Sequence, residues 1–214
     1  MKALFVFCLA LGALPGLGGS RQTTVAPIAL YTTFQQEPPP AVVLALHDEL
    51  ETIMRPLGLR FEWRSLSAVS GDAVAVELAV LNFKGRCDAG SLQPQRVASG
   101  ALGWTHVSDG IILPFSDVDC DRIRAFVQKD LRAIRGGERE AVFGRAVARV
   151  VAHELYHIFA NTSRHGSCGI GKAAYTVQEL LADDFQFEPP ESRALRGSKA
   201  YESLEQAGRA PTLD

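Results

Sequence analysis

The sequence has no basic excess: Lys and Arg number 22 against 24 Asp and Glu, a formal charge of −2 over 214 residues. A nucleic-acid ligand therefore has no electrostatic support. Beyond residue 20 there is no long apolar run. A membrane span needs about 20 such residues, so none is expected. Cys-x-x-Cys is absent, which removes a thiolate zinc knuckle and a thioredoxin-type redox site. No internal repeat is present, which excludes a solenoid. Aromatic residues are only 8%, yet 47% hydrophobic and 21% charged residues are ordinary globular usage. Disorder, collagen and low-complexity classes are excluded for the chain as a whole. The length fits one compact domain or at most two small ones.

The first twenty residues read as a signal peptide. Met1-Lys2 is a short positive start, Ala3 to Leu14 is an apolar run, and Pro15, Gly16 and Gly18-Gly19-Ser20 are small or turn-forming. The apolar run is too short to span a bilayer and has the length of a signal-peptide core. The expected organisation is a signal peptide over 1–20, a domain over 21–190 and a polar tail over 191–214, either a surface helix or frayed. A secreted or periplasmic location is expected, in which Cys87 and Cys120 could form a disulfide. Such a bridge contributes ~3–4 kcal/mol in the chain-entropy model. Cys168 could replace either partner and is otherwise left over.

Periodicity predicts an α+β domain. An extended segment over 23–33 precedes a helix from Ala41 to Met54, stopped by Pro56 and Gly58. Leu59 to Arg64 alternates as a strand with one wet face. Ser70-Gly71-Asp72 reads as a turn, Ala73 to Phe83 as a central strand, and 84–99 as a loop. Gly103–Val107 and Ile111–Phe115 flank Ser108-Asp109-Gly110 as a hairpin. Cys120 to Ile134 reads as an amphipathic helix ended by Gly136-Gly137. Glu140 to Asn161 is the most apolar helix, with Val, Phe and Ile around most of its circumference, and so is expected to be buried on several sides. A Gly-rich loop over 165–171 comes next, then a last helix from Thr176 to Phe187, ended by Glu188-Pro189-Pro190.

That apolar helix carries His153-Glu154-Leu155-Tyr156-His157, an H-E-x-x-H motif. Residues four apart stand one turn apart on the same helix face, so two imidazoles can reach one metal from a single rigid element. Glu154 sits beside the first histidine and can take a proton from water without being a ligand. Unpaired, these groups would cost several kcal/mol in an apolar setting, and metal ligation removes that conflict. Three of the five histidines fall within 153–165. A catalytic zinc needs three protein ligands and one open position. His165 and Glu179 are the two candidates for the third. Asn161 can take a left-handed conformation and turn the chain back toward the metal, which favours His165. Thr176-Val177-Gln178-Glu179 reads as a capping box, which gives Glu179 a structural role of its own.

The chain resembles the zincin metallopeptidases. The order strand, helix, strand, strand, hairpin, H-E-x-x-H helix is similar to the N-terminal half of the metzincin clan, over about residues 23–165. It is divergent: metzincins read H-E-x-x-H-x-x-G-x-x-H, and here Ala160 and Ser163 stand at the Gly and third-His positions, with His165 two residues later. The clan's Met turn is missing, since no Met follows Met54. The gluzincin pattern instead matches Glu179 as ligand and Asp183 as support for a ligand histidine. The resemblance implies a small mixed sheet packed on a long H-E-x-x-H helix, one Zn2+, and a peptide or protein substrate. In metzincin relatives a Tyr beyond the third ligand can stabilise the oxyanion, which points to Tyr175; a packed Tyr before a helix cap is the alternative. Trp104 and His106 of the hairpin are candidates to line a cleft that takes an extended peptide, with core packing as the equal alternative.

The expected function is an exported zinc endopeptidase. Zinc on His153, His157 and His165 activates a bound water, and Glu154 serves as general base. The alternative is a non-catalytic, zinc-stabilised exported binding domain.

Overall fold

A computed structural model describes residues 28–68, 75, 77–90, 92 and 99–209. The expected signal peptide over 1–20, residues 23–27 of the first extended segment and the Ser70-Gly71-Asp72 turn lie outside the described residues.

Among the described residues five strands form one mixed sheet and six helices accompany it. In chain order these are β1 (Ile28–Phe34), α1 (Pro40–Met54), β2 (Phe61–Ser65), β3 (Leu78–Lys84), β4 (Gly103–Ser108), β5 (Ile111–Asp119), α2 (Cys120–Leu131), α3 (Gly136–Phe159), α4 (Val177–Leu181), α5 (Pro189–Arg196) and α6 (Lys199–Arg209). The sheet order is β2-β1-β3-β5-β4. The first four strands in that order are mutually parallel, and β4 alone runs antiparallel, at the edge. Among the described residues no helix is long and apolar enough to cross a membrane.

Alternation along the strands sends one set of side chains into the core. Ile28 and Leu30 of β1, Ala79, Leu81 and Phe83 of β3, and Val118 of β5 are buried. Val42, Leu46, Leu50 and Ile53 of α1 and Phe143, Val147 and Val151 of α3 are buried in the same cluster. α3 is also buried where it is polar: Arg149, His153, Glu154 and His157 are all inaccessible or nearly so. Its apolar circumference calls for cover on several sides, and α1, α2, α4, β4 and β5 all pack against it.

Three expectations are corrected. Gly136-Gly137 do not end α2, which stops at Leu131; they open α3. Carbonyls of the turn after α2 are met by the Arg139 side chain, which donates to Ile134 O at 2.8 Å and Arg132 O at 3.2 Å. The helix expected over Thr176–Phe187 is only Val177–Leu181. Its carbonyls at Glu179 and Leu180 accept from the buried Arg149 guanidinium at 2.9 and 3.1 Å, and the backbone of Ala182 leaves the helical region. Glu188-Pro189-Pro190 therefore end nothing; with proline in the first turn they start α5. Residues beyond 190 form most of α5 and all of α6, and Glu191, Leu195 and Ala200 are buried.

Candidate metal centre

α3 delivers His153 and His157 to one spot by helical spacing alone, and the loop after it decides how they point. His153 Nδ1 lies 2.8 Å from Ile170 O, and His157 Nδ1 lies 2.6 Å from Thr162 O. A carbonyl can only accept, so each Nδ1 carries the proton and each Nε2 presents a lone pair. These two Nε2 atoms are 3.0 Å apart. Two buried lone pairs facing each other repel, and a shared cation relieves them. Burial pushes the His153 imidazole down to about 4 and lowers that of His157, so both rings are neutral near pH 7, as ligands must be.

The third histidine arrives through the backbone. Asn161 takes a left-handed conformation (φ 46°), and Thr162 N donates to His157 O at 3.1 Å, closing the helix end. The chain then doubles back, and the His165 ring lies 5.2 Å from His153 and 4.8 Å from His157. The candidate ligand atoms of the three histidines lie within 4.8 Å of one another.

Glu179 is engaged elsewhere. Its carboxylate accepts from Thr176 N at 2.7 Å in a capping box and from Lys172 Nζ, and these partners hold it below the usual carboxylate range. Asp183 is fully exposed, 4.0 Å from Arg145. The Tyr175 hydroxyl donates to Ile170 O, the same carbonyl that holds His153. Its ring is 5.7 Å from that of His153, and burial raises its pKa. Tyr175 thus buttresses a carbonyl that orients a candidate ligand.

Glu154 is 3% exposed. Its Oε2 accepts from Thr105 Oγ1 at 2.8 Å, and burial pushes its carboxyl up to about 7 against that hydrogen bond. A cavity of about 360 Å³ opens onto Glu154 and the three histidines, with β4 as one wall and Thr162 and Ser163 opposite. Trp104 borders this cleft, but its ring lies 4.4 Å under Lys84 Nζ. His106 does not reach the cleft: its Nε2 is 3.0 Å from Asp117, which also accepts from Asn82 and Lys84. Cys87 and Cys120 form a disulfide that staples the start of α2 to the segment after β3. Cys168, in the loop of His165, is free and exposed.

The sequence reading missed Thr105, Arg149 and the two orienting carbonyls. Thr105 carried no signal, because its role depends on β4 lying against α3. Arg149 did carry one: a cation one turn before His153, on the most apolar helix, needs a buried partner. Comparison with protein-family models, curated proteins and solved structures finds no match for this chain.

Proposed function

We propose that this chain is an exported zinc-dependent endopeptidase of the zincin kind, closer to the metzincins than to the gluzincins. The observation that carries the reading is the buried Nε2 pair of His153 and His157, 3.0 Å apart with both Nδ1 atoms tied to carbonyls, and His165 beside it. Three imidazoles are a donor set suited to zinc, and they leave one position open. His153, His157 and His165 are the ligands in this reading, with Ile170 O and Thr162 O fixing the tautomers of the first two. Zinc, when bound, is a Lewis acid that lowers the pKa of water toward ~7 and polarises a carbonyl.

The chain's own residues supply the rest. Glu154 takes a proton from the attacking water at a carboxylate oxygen. It then delivers that proton to the departing amine as the peptide C–N bond breaks. Among the described strands, antiparallel β4 is the sheet edge beside the cleft, where an extended peptide can add as another strand. The order of elements and the engagement of Glu179 with Thr176 and Lys172 favour the metzincin-like version. The Cys87–Cys120 bridge suits an oxidising compartment.

The test is zinc per chain by elemental analysis on protein purified without chelator, with hydrolysis of an unfolded protein measured alongside. One zinc is expected, with turnover that falls about 10²–10⁴-fold in Glu154→Gln while the zinc stays. Zinc without hydrolysis returns the chain to the binding-domain alternative. A folded protein that takes up no zinc overturns the reading.

A further inference from the structure

We propose that β4 is the seat of the general base, with Thr105 as its positioning residue and Gly103 as the space it needs. The inference rests on the peptidase reading, in which Glu154 moves the proton.

Gly103 and Thr105 are two apart on β4 and so face the same side of the sheet, toward α3. Thr105 Oγ1 lies 2.8 Å from Glu154 Oε2 and 2.8 Å from Ser116 Oγ. A threonine hydroxyl has one proton and two lone pairs. An ionised Glu154 only accepts, so the Thr105 proton goes to Glu154, to Oε2 at 2.8 Å ahead of the main-chain O at 3.2 Å, and Ser116 donates to Thr105. Ser116 is buried on β5, paired in register with Thr105. The relay is therefore anchored in the sheet rather than in solvent. Glu154's other oxygen lies over Gly103: a Cβ there would stand 2.9 Å from Oε1 and 2.9 Å from Val150 Cγ1. One oxygen is bonded by β4 and the other is packed on it. The carboxylate of a helix residue is thus oriented by a strand.

This arrangement couples binding to chemistry. The strand that seats Glu154 is also the edge strand, among the described strands, beside the cleft. A peptide pairing with that edge stiffens the element that aims the base. A glutamate held by its own rotamer alone would lack this connection.

Two variants of Thr105 test the idea. Thr105→Val keeps the shape and removes the donor; Thr105→Ser keeps the donor. With zinc per chain unchanged, Thr105→Val is expected to lower kcat about 10- to 100-fold, the effect of losing one hydrogen bond to a charged group. KM should stay within about twofold, since the lost contact serves the proton-transfer step. Thr105→Ser should recover most of kcat. Unchanged kcat in Thr105→Val, or a loss in Thr105→Ser as large as in Thr105→Val, overturns the proposal. A second readout needs no activity: unfolding midpoints of Thr105→Val, Glu154→Ala and the double variant. Coupled residues give a double variant whose drop is smaller than the two single drops together; additive drops overturn the proposal. Absence of hydrolysis in the unmodified protein overturns the peptidase reading instead, and leaves this cycle still readable.

Discussion

The two halves of the candidate centre are ordered by different means. His153, Glu154 and His157 ride on α3, where regular helical hydrogen bonds and burial on several sides set their spacing. His165 comes from a glycine-rich loop that has no regular structure to lean on. That loop is held by scattered contacts: Asn161 in a left-handed turn, Gly166 N to Gly171 O at 2.8 Å, and Ile170 N to Gln186 O at 3.0 Å. Glu191 of α5 packs into the space where a Cβ on Gly166 or Gly171 would sit. Yet the loop governs the helix as much as it is governed, because Ile170 O and Thr162 O decide which nitrogen each α3 imidazole turns inward. The regular element supplies distance; the irregular one supplies orientation and the third donor.

Under the proposed zinc reading, metal affinity should separate the halves most strongly. His165→Ala should abolish tight zinc binding, whereas Glu179→Ala should leave it intact, by competition with a chromogenic chelator. Glu191→Ala should fall between them, weakening zinc about 10- to 100-fold, the usual cost of losing support behind a ligand. Its far-UV circular dichroism should be unchanged, because alanine is a good helix former and the substitution removes one side chain rather than a helix. Equal zinc affinity in His165→Ala and the unmodified chain would erase the loop's part in the comparison.

The link between the halves comes next. Arg149 of α3 is fully buried, 2.7 Å from Glu49 of α1, and donates to the last carbonyls of α4, just downstream of the loop. Glu49→Ala leaves a buried guanidinium without its counter-charge and should cost about 3–5 kcal/mol in urea unfolding. A cost below ~1 kcal/mol would mean that the ion pair does not anchor the helix.

Proton linkage in the metal-free protein is the subtlest measure. His153 falls from an ordinary 6.5 to about 4 on folding, so over that window the unfolded chain holds the extra proton and stability drops as pH falls. Glu154 rises from 4.5 to about 7, so there the folded chain holds the extra proton and stability drops as pH rises. Glu154→Gln removes the second effect alone. Its melting temperature should exceed that of the unmodified protein at about pH 8, and the gap should shrink toward about pH 4.5. Melting curves that stay parallel across that range would show that burial of Glu154 carries no such cost.

Much of the centre was legible in the residues. The four-residue spacing of His153 and His157 is a property of any α-helix, so their meeting needed no tertiary knowledge. Asn161 was identifiable as the turning residue because few side chains tolerate positive φ. The capping box that occupies Glu179 was readable from Thr176 onward. The ends of elements were less legible. Gly136-Gly137 and Pro189-Pro190 punctuate the chain in either direction, and in the structure each pair begins a helix. Arg139 satisfies carbonyls of the turn after α2, and Arg149 satisfies those of α4. Neither reach is visible in local propensity.

By itself, then, the sequence determined the features set by short-range geometry. These are the α+β pattern, a buried helix with two imidazoles and a carboxylate on it, and a turn able to bring back a third histidine. Tertiary structure alone decided the features that depend on distant segments meeting. Ile170 and Thr162 turn the imidazoles, Thr105 and Ser116 seat Glu154, and α5 backs the His165 loop. The reason is physical: periodicity states which face a residue occupies, whereas a hydrogen bond across 49 positions, as between Thr105 and Glu154, exists only once the sheet edge lies against the helix.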